Sequence, residues 1–442
     1  MSGLGGPPGL TPNLEQLARE ADWAGPAVAS SSWAVPSMAS LFTGLRPWQH
    51  QAILTTQAAL APELITLPEA LQARGYKTAG YPSGSWYTEP YGYNQGFDTF
   101  EGLGRGRVAG ELLSRLTEER RFVWIHLLEP RAPYVKRDWL VPRLGPGAPA
   151  GLPRRITQTQ LQAFSDPSVT VPPHVLRRVQ ALYRLNAAWA DERLGRLIGA
   201  LRASGQWDRT LLIVTSNQGE DLGESRAAAD RFHRFQGGSL ERHLLEVPLI
   251  VKLPAGFGRE IAVPKGERVA AARVWATLVE AAGGAVPPAQ APSLFRAAPA
   301  GAVSELYEPA GLSRLSLVEG DRQLLWEARP TAPALLLERW LPGGGTAPLA
   351  DPASQAAFAR RLAAEWGDFL PDRRPGSTDL TTEAREWGTS RASVTEDEPG
   401  NRESRSIRSE RRGRPRRRGD ILTNRPAGLS RVHSSAVRAS GS

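Results

Sequence analysis

The sequence predicts an α/β fold followed by a smaller α+β part. Two short apolar runs rich in β-branched and aromatic residues, residues 122–128 and 210–215, each end in polar residues, as buried strands of a parallel sheet do. Between them, residues 175–203 place apolar side chains three to four positions apart, which is the pattern of an amphipathic helix. Strands that alternate with long helices indicate an α/β sheet covered by helices.

Further segments extend this pattern along the chain. Helices are predicted at residues 13–20 and 67–74, ahead of the first predicted strand, and at residues 269–282. The last two are each followed by a glycine, which favours the end of a helix. Residues 247–253 form another continuous apolar run and are predicted to be a third buried strand.

Composition divides the chain into three predicted parts. Residues 1–254 hold the strands and long helices and form the α/β core. Residues 255–373 carry short strand-like pieces, such as residues 314–318 and 323–326, and are predicted to form a C-terminal α+β subdomain. Residues 374–442 lose apolar periodicity and become rich in Ser, Arg, Glu and Gly, which predicts a disordered basic tail.

The net charge of the chain resides in that tail. The formal charge is +9 at pH 7, and residues 401–442 alone hold twelve Arg against three acidic residues. The rest of the chain is balanced, so it has no overall field to attract a polyanion. We expect the tail to bind polyanions nonspecifically, and we expect no sequence-specific nucleic-acid recognition because the tail lacks aromatic residues among its arginines and a folded reader domain.

Cysteine and membrane signals are both missing from the printed sequence. The absence of Cys excludes disulfide frameworks, Cys-ligated zinc and thiol nucleophiles. No run of roughly 18 apolar residues occurs, so no membrane span is predicted. The first ten residues resemble no secretion signal, and a cytoplasmic location is the expectation.

The segment 32–44 has the composition of a helix start. Pro36 favours the first turn, and Ser37 and Ser40 place hydroxyls where free backbone N–H groups attract an anion. A sulfate or phosphate group suits such a position. The alternative is a purely structural helix that packs through Leu41 and Phe42.

A series of different short motifs occurs in order along the chain. They are residues 11–15, 35–44, 66–67, 75–79, 96–100, 126–134, 214–220, 237–240 and 247–251. In type, order and spacing they resemble the sulfatase family of the alkaline-phosphatase superfamily, over roughly residues 10–340. The resemblance implies a mixed, mostly parallel sheet flanked by helices, and hydrolysis of sulfate or phosphate esters by a nucleophile held on a divalent cation, commonly calcium.

Several positions depart from the pattern that the resemblance implies. The family nucleophile, a formylglycine, Ser or Thr, corresponds to Ala34, whose methyl group can neither ionise nor bond to sulfur or phosphorus. The Arg or His that follows it in the family corresponds to Met38. Arg131 replaces a His of the Pro-His-x-Pro-Tyr motif, and Gln236 replaces the basic or His residue before the Gly-Ser-Leu motif.

The metal-binding positions depart as well. The Asp-His pair of the family reads Asn217-Gln218, and two neutral amides bind a hard cation more weakly than carboxylates do. The family also opens with a strand that carries metal-binding Asp residues, and residues 1–10 contain no acidic residue, so the core is expected to lack this usual first strand. No cofactor is therefore expected for the sequence as written, and calcium or another divalent cation is expected if the protein is active.

Three function hypotheses follow from the resemblance and its departures. The first is a sulfuric or phosphoric ester hydrolase by family that is impaired or inactive. The second is an active metal-dependent hydrolase that uses other residues, for which Glu220, Asp221 and His233 are the candidates and Ser32 or Ser37 a substitute nucleophile. The third is a non-catalytic module that binds a small sulfate or phosphate ester beside a polyanion-binding tail.

Overall fold

The computed structural model of the chain describes residues 7–54, 58–84, 87–103, 120–164, 169–223, 238–297, 301–308, 311–328, 334–342 and 345–366. The disordered tail predicted for residues 374–442 lies outside these ranges. Among the described residues, no helix has both the length and the apolarity to cross a membrane.

The described strands form four sheets. The strands are β1 Trp23–Val28, β2 Lys77–Tyr81, β3 Thr99–Phe100, β4 Arg121–Ile125, β5 Tyr134–Val135, β6 Arg155–Ile156, β7 Leu212–Thr215, β8 Glu246–Lys252, β9 Val269–Ala270, β10 Ala302–Glu308, β11 Gly311–Glu319, β12 Arg322–Glu327, β13 Ala334–Trp340 and β14 Thr346–Pro348. Their orders are β7-β8-β1-β9, β3-β2-β4, β5-β6 and β10-β11-β12-β13-β14. The first two sheets form the main α/β layer and the last is the C-terminal antiparallel sheet.

Helices connect and cover these strands. They are α1 Pro12–Glu20, α2 Ala34–Thr43, α3 Pro47–His50, α4 Leu67–Gln72, α5 Gln158–Phe164, α6 Pro173–Ala203, α7 Arg242–Leu245, α8 Arg273–Ala281 and α9 Pro352–Trp366. The predicted α/β class with a mixed sheet is confirmed, because β2, β3 and β4 are parallel, β9 is parallel to β1, and β8 is antiparallel to β1 and β7.

The direction of β8 differs from the sequence prediction of a parallel strand. Its apolar run arises because both faces are buried, and burial on both faces does not report direction. Strand β1 was not predicted from the sequence, since Pro26 interrupts the apolar residues of Trp23–Val28. Pro26 lies opposite Pro248 of β8, and neither proline is paired with a strand on its other side: the β1–β9 pairing begins at Ala27, and the β7–β8 pairing ends at Leu249.

Helix α6 is the long amphipathic helix that the sequence predicts, and it anchors the start of α1. Asp191 of α6 accepts hydrogen bonds through Oδ1 from the Leu14 amide at 2.8 Å and through Oδ2 from Asn13 Nδ2 at 2.9 Å. An acidic side chain there replaces the missing side-chain cap of α1 and complements the helix dipole. The predicted helix over residues 269–282 begins later, at Arg273, because Val269 and Ala270 pair with β1 as β9.

The C-terminal sheet docks on the end of β1. The Glu305 amide donates to the Ser30 carbonyl at 2.9 Å, and Ser304 Oγ donates to the Ala29 carbonyl at 2.7 Å. Glu305 is fully buried, and its Oε2 accepts from the Trp48 amide at 2.9 Å and from Tyr307 Oη at 3.1 Å. Burial raises the pKa of Glu305 to about 8.

One long cavity separates the two sheets of the main layer. It has a volume of about 1200 Å³, and both β4 and β7 line it. Strand β4 is the last strand of its sheet and β7 the first strand of the other. The residues that follow β4 and β7 form the polar end of this cavity.

Removing the Asp191 carboxylate is expected to loosen α1. Asp191→Ala removes the acceptor of the Asn13 and Leu14 backbone amides at the helix start and should lower the free energy of unfolding by about 2 kcal/mol in urea titration followed by circular dichroism. The matched control is Glu192→Ala, since Glu192 is partly exposed and pairs with the same Arg143 that lies 3.5 Å from Asp191 Oδ2. That pair should contribute less than about 1 kcal/mol. Equal losses in the two variants would contradict the capping role.

Candidate functional site

The polar end of the cavity is built on the start of α2. Trp33 is extended and precedes the helix, so α2 begins at Ala34, which is 4% exposed and lines the cavity. Tyrosines hold the first carbonyls of the helix: Tyr87 Oη donates to the Ala34 carbonyl at 3.2 Å, and Tyr93 Oη donates to the Val35 carbonyl at 3.2 Å. The predicted nucleophile position is therefore a buried methyl group beside a tyrosine hydroxyl.

The two serine hydroxyls at this helix start are engaged in internal hydrogen bonds. Ser37 Oγ donates to the Ser31 carbonyl at 2.6 Å and accepts from the Ser31 amide at 3.0 Å. Ser40 Oγ lies 3.1 Å from His50 Nε2. Burial lowers the pKa of His50 to about 3, so the ring is neutral, and its Nδ1 accepts from the Ala52 amide. These contacts stabilise the loop and leave both hydroxyls committed to the fold.

An aromatic cluster surrounds the position next to the predicted nucleophile. Met38 is 4% exposed and packs among Phe42, Tyr87, Tyr93 and Trp124. The rings meet edge to face, with centroids 5.2 Å apart for Tyr87 and Tyr93 and 4.9 Å apart for Phe42 and Trp124. The side of the site where the family has a basic residue is apolar in this chain.

The loop after β7 contacts this cluster through Asn217. Asn217 Nδ2 donates to Tyr87 Oη at 2.7 Å, and Asn217 Oδ1 accepts from the Gln218 amide at 3.1 Å. Burial raises the pKa of Tyr87 well above its ordinary value, so the hydroxyl keeps its proton at neutral pH and donates it to the Ala34 carbonyl. Both polar groups of Asn217 are thus occupied within the protein.

Gly219 brings the same loop against α7. Its amide donates to the Leu244 carbonyl at 2.8 Å, and a Cβ at this position would lie 1.9 Å from the His243 carbonyl oxygen. Real Cβ atoms do not approach backbone oxygens so closely, so only glycine fits without moving the backbone. This contact fixes where Asn217 and Gln218 stand relative to α7.

His126 directly follows β4 and enters the site. Its Nδ1–H donates to the Ser83 carbonyl at 2.7 Å, and its ring centroid lies 4.8 Å from that of Tyr87. Burial, together with the positive charges of Arg131 and Arg193, lowers the pKa of His126 to about 4, so the ring is neutral at pH 7. The sequence analysis did not select this residue, although it follows the carboxyl end of a predicted parallel strand, where α/β sites form.

Ionisable side chains lie in the cavity lining and directly behind it. Glu220 is buried, and its pKa is raised to about 8 by burial and by the nearby Asp221, while Tyr134 and Arg131 favour its ionised form. Asp221 is fully buried and its Oδ1 accepts from the Gly223 amide at 2.8 Å. His243 of α7 lies with Nε2 3.7 Å from Asp221 Oδ1. Tyr87, His126 and His243 are thus site residues that sequence reasoning missed.

The predicted site residues divide into three groups. Six of them line one cavity: Ala34, Met38, Arg131, Asn217, Gln218 and Glu220. Ser37 and Asp221 stand behind this lining. His233 and Gln236 lie outside the described residues.

The donor set at the family's metal positions does not fit a divalent cation. Asn217 Oδ1 already accepts a hydrogen bond from the Gln218 amide. Gln218 Oε1 is a buried neutral oxygen with no hydrogen-bond partner in the described part of the chain. Arg131 adds positive charge nearby. Within the described ranges, no three His, Cys, Asp or Glu side chains converge as a metal site requires.

Comparison with known proteins identifies the family. The sulfatase family model matches residues 1–109 and 107–284, well over half of the chain. The chain belongs to the sulfatase family. A curated relative, the ulvan-active sulfatase of Formosa agariphila, is 25% identical over 283 residues, which cover 57% of this chain and 53% of the relative. This sulfatase-family chain thus spans about half the length of that relative.

Solved structures show the same fold at low identity. The phosphonate monoester hydrolase of Agrobacterium radiobacter is 19% identical, with a TM-score of 0.58 over 80% of this chain and 90% of that chain. A putative sulfatase from Bacteroides thetaiotaomicron is 15% identical, with a TM-score of 0.59 over 87% of this chain and 89% of that chain. A protein in complex with its substrate D-glucosamine-2-N,6-O-disulfate is 17% identical, with a TM-score of 0.55 over 86% and 93% of the two chains.

The contact of Gly219 with α7 predicts a glycine requirement. Gly219→Ala should lower the free energy of unfolding by about 1–3 kcal/mol, because the new methyl group forces the loop away from the His243 carbonyl. Gly199→Ala is the matched control, since Gly199 lies within α6 with open space around it. The control should raise the stability by about 0.5–1 kcal/mol. Denaturant unfolding measures both, and a neutral Gly219→Ala would contradict the close approach.

The raised pKa of Glu220 predicts how stability changes with pH. Between its ordinary value of 4.5 and about 8, native Glu220 keeps a proton that the unfolded chain has released, so stability falls as pH rises. Glu220→Gln is neutral throughout and should make this fall shallower in thermal unfolding from about pH 5 to pH 8. Glu305→Gln is the matched control outside the site, with a comparable expected effect. Superimposable profiles for wild type and Glu220→Gln would contradict the buried, protonated carboxyl.

Proposed function

We propose that this sulfatase-family chain keeps the ester-hydrolase fold and a pocket for a small sulfate or phosphate ester, but does not hydrolyse the ester. The observation that carries the proposal is the occupant of the nucleophile position. Ala34 presents a methyl group to the cavity, with the Tyr87 hydroxyl bonded to its carbonyl. Covalent attack on sulfur or phosphorus needs an oxygen or sulfur atom there.

Neighbouring side chains offer no replacement for that atom. Ser37 Oγ is bonded on both sides to Ser31, and Ser32 is fully buried. The Tyr87 hydroxyl is a weak nucleophile at neutral pH because burial raises its pKa. A displacement at a sulfate ester also requires charge stabilisation at the leaving and attacking oxygens, for which metal-assisted enzymes use a cation. The amide pair Asn217 and Gln218 does not fit that cation.

A turnover assay tests the proposed inactivity. Purified protein with aryl sulfate and aryl phosphate esters, in calcium, magnesium or manganese, should release no more product than a heat-denatured sample. Ala34→Ser and the triple variant Ala34→Ser, Asn217→Asp, Gln218→His should remain inactive, because a hydroxyl and one carboxylate do not complete a metal-assisted site. Circular dichroism confirms that each variant is folded.

Turnover by the wild-type chain would overturn the proposal. It would favour the alternative of an active hydrolase with non-standard residues, in which the buried and perturbed Glu220 acts as acid or base. Loss of that turnover in Glu220→Gln, Asp221→Asn or His233→Ala would then assign the residues. Retention of turnover in all three variants would exclude them as replacements.

The second part of the proposal is that the pocket binds an anionic ester without hydrolysing it. Arg131 lines the cavity, and its Nε is buried with no hydrogen-bond partner among the described residues. A guanidinium group binds sulfate and phosphate oxygens through charge-assisted hydrogen bonds. A disulfated glucosamine is bound by one structural neighbour and a neocarrahexaose by another, which supports a sulfated sugar as the ligand class.

Titration calorimetry with D-glucosamine-2-N,6-O-disulfate tests this binding. Arg131→Ala should weaken the affinity by about tenfold or more, since it removes a charge-assisted contact. Arg209→Ala is the matched control, because Arg209 lines the opposite end of the same cavity. It should leave the affinity unchanged. No measurable binding by the wild type, or equal losses in both variants, would contradict a ligand at Arg131.

A further inference from the structure

An exposed tryptophan lies beside the loop that follows β4. Trp139 is 66% exposed, the largest exposed fraction of any bulky apolar residue in the described part of the chain. It belongs to the 3-10 helix Asp138–Leu144, and the next residue, Leu140, is buried in the core. Burial of an indole normally removes some 150–250 Å² of surface from water, and Trp139 forgoes most of that stabilisation. An open aromatic ring is therefore presented by a backbone that core packing holds in place.

Trp189 of α6 connects this ring to the cavity. The Trp139 and Trp189 ring centroids are 6.2 Å apart, and the rings are nearly perpendicular. Arg137 and Arg196 lie over the Trp189 ring, with their Cζ atoms 4.8 Å and 5.2 Å from its centroid. The electron-rich face of an indole attracts a guanidinium group, so these contacts hold two cations next to the exposed ring.

A third guanidinium group stands on the same side of α6. Trp189, Arg193 and Arg196 are spaced four and three positions apart, which places them on one face of the helix. We call Trp139, Trp189, Arg137, Arg193 and Arg196 the tryptophan–arginine cluster. Its members come from the end of the loop after β4 and from one turn and a half of α6, and they form a single surface.

Positive charge exceeds negative charge in this cluster. Arg193 and Arg137 share the carboxylate of Glu129, with Nη1 of Arg193 3.0 Å from Oε2 and Nη2 of Arg137 3.5 Å from Oε1. Burial and the nearby charge of Arg193 lower the pKa of Arg137, and Glu129 offsets this shift only in part. Three guanidinium groups thus stand around one carboxylate, and an additional anion would be attracted to them.

The cluster adjoins the arginine that is proposed to bind a sulfate group. Glu129, which holds Arg193, precedes Arg131 by two residues. Besides burial, the charges of both Arg131 and Arg193 lower the pKa of His126, so both guanidinium groups lie near the same ring. A ligand with one sulfate group at Arg131 can therefore extend along Arg193 toward Trp139.

Sulfated sugars match both the rings and the charges of the cluster. The C–H bonds on one face of a pyranose ring carry partial positive charge and stack on the negative face of an indole. Sulfate oxygens accept charge-assisted hydrogen bonds from guanidinium groups. A small inorganic anion would make no use of the exposed ring, and an uncharged sugar would leave the arginines unmatched.

We propose that the tryptophan–arginine cluster is a second subsite, which binds the next sugar of a sulfated oligosaccharide whose first sulfated sugar occupies the pocket at Arg131. The second sugar ring stacks on Trp139, and its sulfate group binds Arg193 and Arg196. The inference rests on the proposed function for the first sugar. The second subsite makes the ligand an oligosaccharide with sulfate on adjacent sugars.

Calorimetry with one sugar and with two adjacent sugars tests the subsite. The probes are D-glucosamine-2-N,6-O-disulfate and its 1,4-linked dimer in the α- and β-linked forms. One of the dimers should bind the wild-type protein about tenfold or more tightly than the monomer does. Trp139→Ala should weaken binding of that dimer by about fivefold to tenfold and leave binding of the monomer unchanged, because it removes only the stacking contact. Trp139 is exposed, so circular dichroism should show a folded variant.

A dimer with sulfate on one ring only separates stacking from charge. Arg196→Gln should weaken binding of the fully sulfated dimer by about fivefold or more and should not change binding of the dimer that lacks the second sulfate groups. Arg184→Gln is the matched control, since Arg184 is also exposed on α6 but lies about 120° around the helix from Arg196. It should bind both dimers as the wild type does.

Several results would overturn the subsite. Neither dimer binding more tightly than the monomer, or full dimer affinity in Trp139→Ala, would mean that no second sugar is bound there. Equal losses in Arg196→Gln and Arg184→Gln would mean nonspecific attraction of anions. Single-stranded oligonucleotides also combine rings with anionic groups, and tighter, Trp139-dependent binding of an oligothymidylate than of either dimer would assign the cluster to nucleic acid.

The same titrations separate this inference from the proposed function. A monomer that binds through Arg131 while neither dimer gains affinity contradicts the second subsite and leaves the pocket. A monomer that does not bind, together with a dimer whose binding depends on Trp139 and Arg196, contradicts the pocket at Arg131 and supports a sulfated-sugar site at the cluster.

Discussion

The site depends on one hydroxyl group that joins three distant segments. Tyr87 Oη accepts a hydrogen bond from Asn217 of the loop after β7 and donates one to the Ala34 carbonyl at the start of α2. The Tyr87 ring also contacts His126 after β4. Because the hydroxyl is buried and keeps its proton, this arrangement is a neutral polar bridge and not a charged centre. The Tyr87 hydroxyl thus holds the loop after β7 against the start of α2.

Helices and strands whose apolar residues follow a regular local pattern were predicted from the sequence. Helix α6 was predicted nearly to its ends because its apolar spacing is sustained over eight turns, and the runs that became β4, β7 and β8 were recognised by their continuous apolar character. The direction of β8 was not predictable, since burial on both faces looks the same in either direction. Strand β1 was missed because Pro26 reads as a strand breaker, whereas the structure gives its nitrogen no strand to pair with.

Site residues that occupy motif positions were predictable from the sequence. Site residues that reach the cavity only through tertiary contacts were not. Ala34, Arg131, Asn217 and Gln218 were selected from the resemblance, and the structure brings all four to one cavity. Tyr87 carries no local signal, since its role arises from contact with residues 53 and 130 positions away. The hydrogen bond from the Ser37 hydroxyl to the Ser31 carbonyl was not predictable either. A serine at a helix start looks the same in the sequence whether its hydroxyl contacts a ligand or the backbone of a neighbouring loop.

The opposed prolines Pro26 and Pro248 have a consequence for how β1 and β8 find each other. Residues that face each other in an antiparallel ladder alternate between pairs that exchange hydrogen bonds and pairs that do not, and two prolines are tolerated only in the second kind. A shift of the alignment by one residue would bring a proline nitrogen to a place where a donor is required, and would also turn every side chain to the opposite face. The two prolines are therefore compatible with the observed alignment of β1 with β8 and disfavour alignments shifted by one residue.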